Sequence, residues 1–274
     1  MIEPETDDDR PRLGVLLRLG VVLLILALGA GGVLLVRIAT APDPARASVH
    51  ADLTGGIPVA DVRPGSLTPV DAAVDAAAQP QPRAAAGPDP LRTWAQRLAV
   101  PAEVPARALM AYGNAELALR TENPGCHLSW TTLAAIGRVE SDHGRYGGAT
   151  LGEDGRPSRP IIGVPLDGSP GVRAIGDTDG GRFDGDPDVD RAVGPMQFIP
   201  STWSRWAADA DLDGVGDPHQ IDDAALAAGR YLCANGRDLA IPADWWAAVL
   251  SYNNSVTYGQ KVFGLADGYG RTAR

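Results

Sequence analysis

The chain has 274 residues and a formal net charge of −10 at pH 7. Such an acidic chain lacks the basic face that nucleic-acid binding needs, so no nucleic-acid partner is expected. All Trp, Tyr and Phe residues and both cysteines lie beyond residue 90. Aromatic side chains carry much of a core, so the folded part is expected to start near there.

Residues 1–12 are polar and read as a cytoplasmic tail. The uncharged apolar run between Arg18 and Arg37 would be about 27 Å long as a helix, close to a hydrocarbon core of roughly 30 Å. Residues 13–37 are therefore expected to be a single transmembrane signal anchor, with Arg18 snorkelling to the interface. The alternative is a secretory signal peptide cut after Ala39-Thr40-Ala41. Arg10, Arg12 and Arg18 precede the span, which places the N-terminus inside and the bulk of the chain outside the membrane. Residues 38–88 are rich in Ala, Pro, Gly and Asp with no aromatic residue, and are expected to be a disordered tether. Within them, 69–78 reads as a transient helix.

Asp89-Pro90 has the form of an N-cap followed by proline at the first helical position. Helices are expected over 91–100, 105–121, 129–143, 202–208, 222–234, 243–251 and 256–266. Ser129, Ser201, Asp222 and Ser255 serve as starting residues. No convincing alternating strand is present, so residues 89–274 are expected to form a mainly α domain. Between 144 and 191 the helical pattern disappears into Gly, Pro and Asp. So long an irregular segment inside a domain is usually a functional loop or disordered. A substrate loop with a short hairpin suits it. Its acidic part, 177–190, reads as a solvated run, with a cation site as the alternative.

The helix 129–143 carries the most informative residue. Trp130, Leu133, Ile136 and Gly137 fall on one side, and Thr131, Arg138 and Asp142 on the other. Glu140 lies four residues after Ile136, inside the apolar arc. A carboxylate there is costly to bury unless it is paired or gives up its charge. Desolvation is also what equips a carboxyl to act as a general acid near neutral pH. The bland alternative is a helix-end Glu reaching water or an Arg. Cys126 and Cys233 in an exported domain are expected to form a disulfide. At 209–217, Asp209, Asp211, Asp213, the Val215 carbonyl and Asp217 match the first half of an EF-hand loop, with Gly214 at its sixth position. Position 12 is Gln220 where a Glu is expected, which weakens the site or moves the last ligand to Asp222 or Asp223. The expected occupant is a structural calcium ion, with a plain acidic turn as the alternative. No cofactor is expected for the chemistry itself.

Two further motifs stand late in the chain: Gly194-Pro195-Met196-Gln197-Phe198-Ile199-Pro200-Ser201-Thr202-Trp203, and Ser251-Tyr252-Asn253-Asn254-Ser255. Singly they read as a turn before a capped helix and as a helix end before a new cap. In the order Glu-Ser, Gly-Pro-Met-Gln, Tyr-Asn, they resemble the lytic murein transglycosylases of lysozyme-like fold. The likeness is to the membrane-bound transglycosylase B type in its actinobacterial form, over roughly residues 90–265. The resemblance implies Glu140 as catalytic acid, with Ser141, Gln197, Tyr252 and Asn253 lining the substrate cleft. It also implies a calcium loop, peptidoglycan glycan strands as substrate, and cleavage of the β-1,4 bond between N-acetylmuramic acid and N-acetylglucosamine. Ordinary glycosidases use a second carboxylate. Asp142 sits about 200° around the helix from Glu140 and cannot serve, while Asp190 is left open. The family's chemistry needs no second acid, since the substrate's N-acetyl group assists and a 1,6-anhydro ring forms. A hydrolysing muramidase of the same fold, or a glycan-binding protein without turnover, are the alternatives. Trp245 and Trp246 are candidates for sugar stacking or for the core.

Overall fold

A computed structural model describes residues 56–74 and 89–274, all within the unit Pro44–Arg274. The expected tail (1–12), anchor (13–37) and cleavage site lie outside the described residues. Among those described, no helix is long and apolar enough to cross a membrane. Seven α-helices, three short 3-10 turns and one two-stranded sheet make up the described regular structure, which is consistent with a lysozyme-like fold.

Helix α1 spans Pro90–Ala99, with Asp89 Oδ1 accepting from Leu91 N (3.0 Å), as the Asp-Pro pair predicts. Helix α2 spans Ala106–Glu122 and buries Leu109, Tyr112, Ala115, Glu116 and Leu119. A short 3-10 turn, Pro124–Cys126, leads to α3, Trp130–Ser141. Ser129 caps α3 through Thr131 N. The expected two-sided character of α3 is corrected. Every residue of it except Arg138 is buried, Thr131 included. The reason is position: α2 and α7 both pack on α3, and residues 56–74 cross its start.

Helix α4 spans Pro200–Trp206 and α5 spans Ile221–Leu232. Two expected starts are corrected here. Proline at the first position, not Ser201, opens α4, since its fixed φ suits the first turn. Gln220, not Asp222, caps α5, its Oε1 accepting from Asp222 N (2.5 Å) and Asp223 N (3.1 Å). Helix α6 spans Pro242–Tyr252, and α7 spans Val256–Thr272 with Ser255 Oγ accepting from Tyr258 N (3.3 Å). Helix α7 runs past the expected end at 266, through Gly268 and Gly270. Its last turns are held by packing, with Tyr269 stacked on Trp130 (ring centroids 6.2 Å apart).

The core centres on α3. Trp94 meets Trp130 edge-on (5.4 Å), and Trp245, Trp246 and Phe263 form a second aromatic cluster. Each such pair adds about 0.5–1.5 kcal/mol beyond area burial. Trp245 and Trp246 are each 2% exposed, with their rings packed on each other and on Phe263, so both belong to the core. Cys126 and Cys233 are bonded, with Cα atoms 5.4 Å apart. The bond ties the approach to α3 to the end of α5.

Strands β1 (Ile162–Pro165) and β2 (Arg191–Val193) pair antiparallel, Ile162 with Val193 and Pro165 with Arg191, with a register irregularity between. They close the base of the 166–190 part of the irregular segment. The expected disorder of 38–88 is corrected for residues 56–74, which lie extended on the helices with Val62 and Val74 buried. No helix forms over 69–74. Backbone groups of this segment bond to side chains distant in sequence, a partnership that composition does not reveal.

Candidate active site

Glu140 occupies the last turn of α3 and is fully buried. Tyr258, in the first turn of α7, donates its hydroxyl to Glu140 Oε1 at 2.5 Å. Tyr252, at the end of α6, donates to the Met196 carbonyl at 2.7 Å. Burial, and then the nearby charge of Glu140, raise both phenols well above their ordinary value. Both therefore stay protonated donors at neutral pH. Tyr231 and Phe198 back Tyr252 edge-on. Glu140, Tyr258, Tyr252 and the Gly-Pro-Met-Gln turn thus form one cluster built from α3, α6, α7 and the segment before α4.

The turn is fixed tightly. Gly194 has φ +77°, and a Cβ there would lie 1.8 Å from the Pro218 carbonyl oxygen, so both conformation and space require glycine. Gln197 also adopts a left-handed conformation (φ 50°). Its Nε2 donates to the carbonyls of Gly194 (3.0 Å) and Ile161 (3.3 Å). Its amide nitrogen closes the turn against the start of β1. Ser141 is fully buried, donates its proton to the Pro195 carbonyl (2.6 Å) and accepts from Gly144 N (2.8 Å). It joins the end of α3 to the turn and has no further proton to offer a sugar. Asn253 is 6% exposed, and neither Oδ1 nor Nδ2 of its side chain has a hydrogen-bond partner among the described residues. Leaving such a buried group unsatisfied costs about 1–3 kcal/mol.

The two other acids considered beside Glu140 have different tasks. Asp142 forms ion pairs with Arg138 and Arg145. Asp190 is fully buried and accepts from Thr178 N (2.9 Å) and Thr178 Oγ1 (2.7 Å), anchoring the 144–191 loop.

Sequence reasoning missed Tyr258. Its signal was local: a hydroxyl-bearing ring three residues after the Ser255 cap, directly following the Tyr-Asn motif. It also missed His143, which is fully buried just past α3 with Nδ1 3.1 Å from the Tyr112 hydroxyl. A Cβ on Gly137 would lie 2.1 Å from that hydroxyl, so the glycine makes room for the pair. Burial, then the charges of Arg145 and Arg138, hold the His143 imidazole well below its ordinary value of 6.5. Between the two values the unfolded chain binds a proton that the folded chain refuses. This contribution to stability is full above about pH 6.5 and is lost as pH falls toward the folded value. Urea midpoints measured from pH 7.5 to 5 are expected to fall, and His143→Asn to flatten that fall. An unchanged slope in the variant would contradict this role.

The acidic loop gathers differently from the EF-hand expectation. Carboxylate oxygens of Asp209, Asp211 and Asp223 lie within 4.8 Å of one another. Asp213 instead accepts from Val215 N (2.8 Å), and Asp217 pairs with Arg156 and caps His219 N. Gln220 is occupied as the α5 cap, so the third acid comes from the first turn of α5. Burial raises the Asp223 carboxyl pKa and Asp211 adds to the effect.

Residues 190–246 match the family model described as Transglycosylase SLT domain. No curated protein and no solved structure matches the chain. The matched residues hold β2, the Gly-Pro-Met-Gln turn, the acidic loop and α5, whereas Glu140 and Tyr252 lie outside them. The match is a likeness to a transglycosylase domain over 190–246, about a fifth of the chain.

Proposed function

We propose that the chain is a peptidoglycan lytic transglycosylase of the membrane-bound transglycosylase B type, with Glu140 as its single acid and base. The observation that carries this reading is a fully buried carboxylate held by a phenol donor beside the Gly-Pro-Met-Gln turn, in a domain matching a transglycosylase family. The substrate bond is the β-1,4 link between N-acetylmuramic acid and N-acetylglucosamine.

Tyr258 holds Glu140 Oε1, and Glu140 as general acid passes a proton to the glycosidic oxygen as the C1–O4 bond breaks. The muramic acetamido carbonyl stabilises the positive charge at C1. The Glu140 carboxylate then takes the proton of the muramic 6-hydroxyl, whose oxygen closes on C1. No water is consumed and the 1,6-anhydro ring results. Asn253 suits an acetamido group, since its Nδ2 can donate to the acetamido carbonyl and its Oδ1 can accept from the acetamido N–H. That pairing would satisfy the two atoms left without partners. Turnover is tested by release of soluble muropeptides from purified sacculi. No release by oxidised protein at millimolar calcium would overturn the reading in favour of a glycan-binding protein.

The domain is exported and held by the 13–37 anchor in this reading; the Cys126–Cys233 bond supports an oxidising compartment. Asp209, Asp211 and Asp223 bind a structural calcium ion. Calorimetry is expected to show binding at or below millimolar calcium, weakened in Asp209→Asn and in Asp223→Asn. An absence of heat at millimolar calcium would refute the site.

A further inference from the structure

The segment that composition marks as a tether is fastened to the helices along its length. The Val62 carbonyl accepts from Gln260 Nε2 (3.0 Å) and the Leu67 carbonyl from Trp246 Nε1 (3.0 Å). Val70 N donates to Asp267 Oδ1 (3.0 Å), and the Ala72 carbonyl accepts from Ser129 Oγ (3.3 Å). Val74 N donates to Glu116 Oε1 (3.0 Å). This path runs along α7, touches α6 and the cap of α3, and ends at Glu116 of α2.

Glu116 makes the last fastening more than a surface contact. It is 1% exposed, its Oε2 accepts from Trp130 N (2.7 Å), and Arg120 pairs with its Oε1. One buried carboxylate therefore binds both the segment and the first residue of the helix whose last turn carries Glu140. Charge-assisted bonds of this kind are the strong ones. The other helix under the segment, α7, carries Tyr258.

Two glycines of α7 lie beneath the segment. A Cβ on Gly270 would sit 2.0 Å from the Val70 carbonyl oxygen, and one on Gly264 would sit 3.3 Å from Ala60 Cβ. Glycine inside a helix costs about 1 kcal/mol relative to alanine, so a close neighbour is the physical reason to keep it.

We propose that residues 56–74 are a positioning strap that clamps α7 to α3 and so holds Tyr258 against Glu140. The functional unit then begins at the strap and not at Asp89. The strap touches no reacting atom; it acts through the Tyr258–Glu140 bond, and its link to turnover rests on the function proposed above.

The test compares Gly270→Ala with Gly268→Ala in the full chain, in detergent. Both changes raise helix propensity equally, but a Cβ at Gly268 meets nothing within 4 Å. The readouts are amide hydrogen exchange at Val70 and Val74, the shielded hydroxyl proton signal of Tyr258 (identified by its loss in Tyr258→Phe), and kcat and KM on sacculi. Gly270→Ala is expected to speed exchange of both amides at least about tenfold and to weaken the Tyr258 signal, and to lower kcat more than KM. Gly268→Ala is expected to change none of these. Asp267→Ala, which removes the Val70 acceptor without adding bulk, is expected to follow Gly270→Ala in part. Wild-type exchange in Gly270→Ala, or faster exchange with an unchanged Tyr258 signal, would overturn the proposal. If the wild-type chain cuts nothing, the enzymatic reading fails, while exchange and the hydroxyl signal still decide whether the strap positions Tyr258.

Discussion

Glu140→Gln is expected to lower turnover on peptidoglycan by at least about 100- to 10,000-fold, the range a positioned acid–base group contributes. Glycan binding is expected to persist, because the amide keeps the size of the side chain and can still accept from Tyr258. Glu140 gives one proton and later takes another, so both halves of the reaction lose their catalyst together. The variant is also expected to fold, since a buried neutral amide is less costly than a buried carboxylate. Unchanged cutting by Glu140→Gln would remove Glu140 from the chemistry. Loss of binding along with cutting would mean that the residue shapes the cleft and does not serve the reaction.

Replacing both Cys126 and Cys233 by Ser is expected to cost about 2–5 kcal/mol of stability. The bond joins residues separated by 107 positions, a loop that spans α3, the whole 144–191 segment, α4 and α5. In the chain-entropy account a loop of about this length gains roughly 4–5 kcal/mol, and native strain or residual structure reduces it. The loss should appear as a lower urea midpoint in the double variant, and in the wild type under reductant. The Cα separation of 5.4 Å is ordinary for a disulfide, so no gain from relaxation should offset it. A double variant as stable as the parent would show that packing around Leu239 and Cys126 suffices without the bond.

Local chemistry explains what was legible beforehand. Asp89 before Pro90, Ser129 and Ser255 are caps whose partners lie two or three residues away, and all three stand where sequence places them. The burial of Glu140 was legible from its place four residues after Ile136, although the side expected to be polar is buried as well. What escaped depends on partners distant in the chain. Residues 56–74 have no periodicity, and their order comes from backbone bonds to α2, α6 and α7. The end of α7 was hidden by Gly268 and Gly270, whose cost to the helix is offset by Tyr269 on Trp130. Ser141 and Gln197 were read as facing substrate because they sit in the motifs. Both also hold the motifs together, Ser141 on Pro195 and Gln197 on Gly194 and Ile161, a task that sequence did not reveal. The acidic loop was legible as a cluster, with Asp223 one of the two residues expected to complete it; what escaped is that Asp213 turns to Val215 N and Asp217 to Arg156.

The central claim is that one carboxyl group carries the whole reaction without water. Mass spectrometry of the muropeptides released from purified peptidoglycan tests it most directly. The account predicts products ending in 1,6-anhydro-muramic acid, one water lighter than the hydrolysed form. Reducing muramic ends would contradict it and would demand a second group to activate water beside Glu140.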